Sequence, residues 1–181
     1  KHANTPSTQH FDTLGRPVLQ IEHNKDSADA NVFYHTRTNL DLEGNLRSVT
    51  DARDNPLMQY KYDMLGNMVY HNGSDAGQRW IILNIAGNPL RSWDERNHEL
   101  SFGYDILHRP LIKKVEGGDG AVLLNNVYEK IIYGETLPNP EVNHLRTRAV
   151  ITYDTSGKSE TSAFDFNGNA LSTTKTFARN Y

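Results

Sequence analysis

The sequence predicts an all-β chain of tandem antiparallel hairpins, with one short helix near residues 140–149. Three observations carry this reading. A short phrase keeps returning: an aromatic residue, Asp, two free positions, Gly, then Asn or Arg. Between copies, strand-forming residues alternate with polar ones. Only one stretch has the pattern of a helix.

The clearest copy is Tyr62-Asp63-Met64-Leu65-Gly66-Asn67. Asp is favoured at the first corner of a type I turn, where its carboxylate accepts from backbone N–H groups further along. A left-handed residue then commonly closes the hairpin, and Gly takes that position at no steric cost. Asp63 to Gly66 is therefore a predicted turn, with Tyr62 ending one strand and Met68-Val69-Tyr70 opening the next. The Asp is read as a turn residue and the aromatic as a packing residue.

Along the chain, residues 1–10 read as an irregular lead-in and 11–181 as one repeat domain. Phe11-Asp12-Thr13-Leu14-Gly15-Arg16 is the first copy, and Leu40-Asp41-Leu42-Glu43-Gly44-Asn45 a degenerate one. Leu46, Ser48 and Thr50 alternate weakly with Arg47 and Val49, and Asp51-Ala52-Arg53-Asp54-Asn55 keeps part of the phrase. Met58-Gln59-Tyr60-Lys61-Tyr62 alternates as a half-buried strand does. Arg79-Trp80-Ile81-Ile82-Leu83 is a short apolar strand, followed by the copy at Leu83-Asn84-Ile85-Ala86-Gly87-Asn88. Trp93-Asp94-Glu95-Arg96-Asn97 and Tyr104-Asp105-Ile106-Leu107-His108-Arg109 come next. Neighbouring copies often lie ten to twelve residues apart.

Leu111–Glu116 is then joined through Gly117-Gly118-Asp119-Gly120 to the strand formers Ala121–Leu124 and Val127–Tyr133. Between Asp105 and Asp154 the phrase lapses. Here Asn139 suits a helix cap, Pro140 the first helical position and Glu141 the first turn, with Val142, Leu145 and Ala149 roughly along one face. Ile151-Thr152-Tyr153 resumes the strands. Tyr153-Asp154-Thr155-Ser156-Gly157-Lys158 and Phe164-Asp165-Phe166-Asn167-Gly168-Asn169 are the last copies, and Arg179-Asn180-Tyr181 is strand-like.

Chemistry is sparse. The chain has 181 residues and a formal net charge of −3, with acidic and basic residues interspersed, so no basic stripe marks a nucleic-acid surface. No apolar run is long enough to cross a bilayer. Zero cysteines exclude disulfides and thiolate metal sites. The 8 histidines are scattered without metal-ligand spacing, and no nucleophile elbow, P-loop or dinucleotide fingerprint occurs. Asp51-Ala52-Arg53-Asp54-Asn55 lacks the alternating ligands and distal Glu of a calcium loop. No cofactor, metal or catalytic residue is assigned. The chain opens on Lys1-His2 and is expected to be part of a longer polypeptide.

The repeats resemble the RHS/YD repeats of bacterial polymorphic toxins, of insecticidal toxin complexes (the B/C component) and of animal teneurins. The segments carrying this are residues 58–67, Arg91-Ser92-Trp93-Asp94, Tyr104-Asp105 with Arg109-Pro110, Tyr133-Gly134-Glu135, Asn143-His144-Leu145-Arg146, and residues 163–171. The resemblance implies a long β-strip that spirals into a hollow shell around a toxic C-terminal polypeptide, in a secreted bacterial protein. Its implied partners are the rest of the parent chain, the enclosed toxin and other toxin-complex subunits. Nucleic acid and membrane insertion are not expected. That family's shell ends in a core with an aspartate-dependent self-cleavage site. No counterpart of its Asp-Pro and Gly-Leu signature occurs here, so no aspartate receives a protease role.

Two other readings stand beside the shell. Trp80, Trp93 and Tyr70, if exposed, suit a carbohydrate- or cell-surface-binding module. A glycosidase would need two carboxylates about 5–10 Å apart in a pocket, whereas turn-forming Asp63, Asp105, Asp154 and Asp165 are expected along sheet edges. The isolated segment would also leave strand edges bare, so self-association is expected.

Overall fold

The computed structural model describes residues 4–179. Residues 1–3 of the expected lead-in and the last two of the strand-like ending lie outside the described residues. The chain divides into two compact units, Lys1–Gly87 and Asn88–Tyr181.

The first unit is an antiparallel meander of β1 (Ser7–Phe11), β2 (Pro17–Lys25), β3 (Asn31–Leu40), β4 (Leu46–Thr50), β5 (Pro56–Tyr62), β6 (Met68–Gly73) and β7 (Gly77–Leu83). Each strand pairs with the next in sequence. Side chains directly opposite across strands share a face. Tyr70 thus faces both Lys61 and Trp80, while Met58 pairs with Val49 and Gly73. Among the described residues of this unit only Gly73 is buried. A sheet one layer thick has nothing to bury its faces against, so its stability comes from ladders and cross-strand pairs.

The second unit is a meander of β8 (Pro89–Asp94), β9 (His98–Tyr104), β10 (Pro110–Gly117), β11 (Leu124–Tyr133), β12 (Ala149–Asp154), β13 (Gly157–Phe164) and β14 (Ala170–Phe177). Among the described residues its core is the small cluster of Leu145, Val150 and Ile151, against which Ile132, Leu137 and Phe164 pack. Leu145 comes from the long connection between β11 and β12, which folds back as a cover over the strands.

Three expectations are corrected. The lead-in is not irregular throughout, because Ser7–Phe11 pairs with Pro17–Glu22 as β1. Ala121–Leu123 is loop, and β11 begins only at Leu124. No helix forms near 140–149. A single 3-10 turn spans Gly134–Thr136, and a chain of turns follows. Asn139, His144 and Thr147 take φ of 52°, 51° and 65°, left-handed values that interrupt a right-handed helix. Asn139 therefore cannot cap one, since a cap residue is extended. The N–H of Leu145 reaches the carbonyl of Pro140 at 2.8 Å, closing a wide loop that delivers Leu145 to the core. Among the described residues no helix is long and apolar enough to cross a membrane.

Candidate functional site: the hairpin turns

The feature that recurs is the turn itself. At the clearest copy, Asp63 N–H donates to the Asn67 carbonyl at 2.9 Å and Gly66 N–H to the Asp63 carbonyl at 3.1 Å. One carboxylate oxygen of Asp63 accepts from the N–H of Leu65 and Asn67 at 2.8 and 2.9 Å. The other accepts from the Asn67 side-chain amide at 3.0 Å. Gly66 sits at φ 79°, where a side chain would be strained. The Asn67 side-chain amide and then its backbone N–H hold the Asp63 carboxyl below its ordinary pKa.

The same wiring recurs with Asp12 and Arg16, Asp41 and Asn45, Asp51 and Asn55, Asp105 and Arg109, and Asp165 and Asn169. Asp94 does it with His98, whose ring nitrogen lies 2.9 Å from the carboxylate. Gly15 and Gly168 hold the left-handed corner in their copies, as Asp54, Asn97 and His108 do in degenerate ones. One copy differs. Asp154 pairs directly with Gly157 across Thr155 and Ser156, so this hairpin is tighter by a residue than the phrase predicts. A further copy, with Asp26 bonded to the N–H of Ala28 and Ala30, was not anticipated, because it lacks both the aromatic and the glycine.

The role of the last residue of the phrase was missed from the sequence, although its Asn-or-Arg preference stood in plain view. Its side chain must donate to the outer carboxylate oxygen, and amide and guanidinium both can. The aromatic does more than pack. The Tyr62 hydroxyl donates to the Leu46 carbonyl at 3.0 Å, and the Tyr104 hydroxyl to the Pro89 carbonyl at 2.7 Å. Each tyrosine thereby reaches from the end of its strand to the start of the preceding one. Phe164 instead lies in the small core under the Arg148 guanidinium, 4.9 Å from its ring centre. Phe11 and Tyr153 remain exposed.

In the second unit Arg109 also bonds Glu135 at 2.8 Å and lies 3.9 Å over the Tyr133 ring. Glu135 further accepts from Thr147 N–H at 2.9 Å. Turn 105–109 is thus tied to the long connection.

The carboxylates of Asp12, Asp51, Asp63, Asp154 and Asp165 are engaged by donors that hold them below their ordinary pKa, the opposite of the raised pKa of a general acid. Among the described residues no group of three His, Asp or Glu is placed to hold a metal. Of the candidate sugar-stacking rings, Trp93 is half-buried, whereas Trp80 is 40% exposed and tilts against Tyr70 with ring centres 5.5 Å apart. Lys61 sits 5.0 Å over the Tyr70 ring.

No family model matches the chain, and no curated protein matches it. Solved structures do. The Photorhabdus luminescens Tc holotoxin pore superposes with a TM-score of 0.81 at 21% identity, over 95% of this chain and 8% of that one. The TcdB2-TccC3 complex gives 0.79 at 21% identity, over 93% of this chain and 9% of that one. TcdB2-TccC3 without its hypervariable C-terminal region gives 0.80 over 95% of this chain and 9% of that one. The chain has the fold of a segment of these proteins and spans under a tenth of their length.

Proposed function

We propose that this chain is a wall segment of an RHS-repeat shell that encloses a C-terminal toxin polypeptide in a secreted bacterial toxin. Its role is structural and it carries no catalysis. The observation that carries the reading is the repeated hairpin, wired the same way turn after turn in sheets with almost no core. Such a sheet gains little as an independent globule, because it leaves both faces unburied. It gains as a tile in a longer strip, where neighbouring repeats share ladders and contacts. The likeness to Tc toxin chains over nearly the whole segment supports the same role. Partners under this reading are the rest of the parent chain, the enclosed polypeptide and other toxin-complex subunits.

The test is limited proteolysis of the full-length parent, following the segment C-terminal to these repeats by mass spectrometry. Survival of that segment, against rapid cleavage of the same segment on its own, supports a container. Equal cleavage overturns it and sends the aromatic pair Tyr70 and Trp80 to a glycan-binding screen.

A further inference from the structure

We infer that Asn167 is a site of spontaneous covalent modification, converting in the folded protein to aspartate and isoaspartate through a succinimide. Two asparagines of the chain precede a glycine, Asn72 and Asn167. A following glycine has no Cβ to shield its nitrogen from the asparagine carboxamide. The two pairs are equivalent in sequence, and the fold separates them.

Asn72 lies inside β6, opposite Gln59 on one side and Gln78 on the other. Gly73 is buried, and a Cβ on it would lie 3.1 Å from the Met58 sulfur. Bringing the Gly73 nitrogen onto the Asn72 side chain requires the strand to leave its ladders. Asn167 is an exposed corner of the turn between β13 and β14 and pairs with neither strand. Its nucleophile, the Gly168 nitrogen, donates a single turn bond to the Asp165 carbonyl at 3.0 Å. Exposed turns open locally far more often than paired strands do. At the same place in other turns, Gly15, Gly44, Gly66 and Gly87 follow Leu14, Glu43, Leu65 and Ala86, which offer no carboxamide.

The step balances with water as the one co-reactant. The Gly168 nitrogen bonds to the Asn167 Cγ and gives up its proton, the Cγ–Nδ2 bond breaks, and ammonia leaves. Water then opens the ring at either carbonyl. Cleavage of the new bond to Cγ yields aspartate. Cleavage of the original peptide bond yields isoaspartate, whose main chain runs through Cγ and is longer by one carbon. Either way a carboxylate forms beside the Arg148 guanidinium, which already donates to the Gly168 carbonyl at 3.3 Å. Isoaspartate does more. An extra carbon between Asp165 and Asn169 breaks the spacing by which the Asp165 carboxylate accepts the Asn169 N–H at 2.8 Å. β14, exposed along its length, is then closed onto β13 by a weaker turn. The inference does not depend on the shell reading.

The test incubates the full-length parent in mildly alkaline buffer and follows both asparagines by peptide mass spectrometry. Conversion of amide to acid at 167, faster than at 72 by about tenfold or more, supports the site, as does isoaspartate detected there by its methyltransferase. No conversion at 167, or equal rates at the two positions, overturns it. In urea the two rates should converge, since the fold alone sets them apart; a difference that persists overturns the structural explanation. Amide exchange at Asn169 should quicken in the aged protein and stay unchanged in aged N167Q. N167D carries the new charge without the longer backbone and should exchange as the fresh protein does. Exchange in N167D as fast as in the aged protein would overturn the assigned effect of isoaspartate on the turn.

Discussion

The turn at 63–67 and the connection at 134–148 both reverse the chain between antiparallel strands, but they do so with different physics. The turn is held entirely by local hydrogen bonds, with Asp63 accepting from Leu65 and Asn67. Its apolar corners, Met64 and Leu65, touch nothing that buries them. The connection is held by packing and by distant partners. Leu145 is 4% exposed, Phe164 N–H donates to the Asn143 carbonyl at 3.0 Å, and Glu135 grips Arg109. The difference teaches where this chain keeps its stability. The turns set geometry, and the connection supplies the only apolar core among the described residues.

Breaking the connection should therefore have the largest effect. Leu145→Ala is expected to destabilise the second unit by about 2–4 kcal/mol, read by urea unfolding. Amide exchange should quicken across 134–148 and stay unchanged at Leu65 and Asn67. Gly134→Ala makes the same point from the other side, because its Cβ would fall 2.2 Å from the Leu145 carbonyl oxygen. A cost of about 1–3 kcal/mol is expected from that overpacking. A Leu145→Ala cost under about 1 kcal/mol would show that the cluster is not a core.

The turn is next. Gly66→Val should cost about 1–2 kcal/mol through strain at φ 79°. Gly66→Asn should cost far less, since Asn97 holds the same corner at φ 60°. Equal costs in thermal unfolding would remove the backbone explanation. Tyr104→Phe tests the reach between strands. Loss of the bond to the Pro89 carbonyl should cost about 0.5–1.5 kcal/mol, and an unchanged midpoint would mean that water replaces it without penalty.

The smallest effect is spread over many sites. Asp12, Asp51, Asp63 and Asp165 all have carboxyls held below the ordinary range by donors at the last residue of the phrase. A carboxyl depressed in the folded state contributes stability above its unfolded pKa and loses that contribution as pH falls through its folded one. Unfolding midpoints should thus hold steady above about pH 4–5 and decline below it. In Asp63→Ala part of that decline should vanish, and a midpoint that rises on acidification would reverse the assigned sign.

How much of this was legible in the sequence follows from how local each feature is. The all-β hairpin fold was legible because strand alternation and the turn phrase both act within a few residues, as at Met58–Asn67. The Asp26 turn was hidden because Asp29 holds its left-handed corner without glycine. The helix expected from Asn139-Pro140-Glu141 failed because those residues suit any tight turn. What decides between helix and loop there is Leu145 meeting Val150, Ile151 and Phe164, a contact between distant residues. The hydroxyl reach of Tyr62 to Leu46 lies between strands and leaves no mark in spacing alone.

The meander has a mechanical corollary. Within each unit a strand is bonded only to the one before it and the one after it. A pull on one end therefore loads a single ladder at a time, and the sheet unzips strand by strand rather than shearing as a block. In the first unit the ladders range from three paired residues between β4 and β5 to seven between β2 and β3, so the force trace should be a run of low teeth of unequal height. The second unit should resist once, sharply, where the cover carrying Leu145 tears away. A sheet of the first kind comes apart in order from its free end, and one carrying such a cover holds until the cover goes.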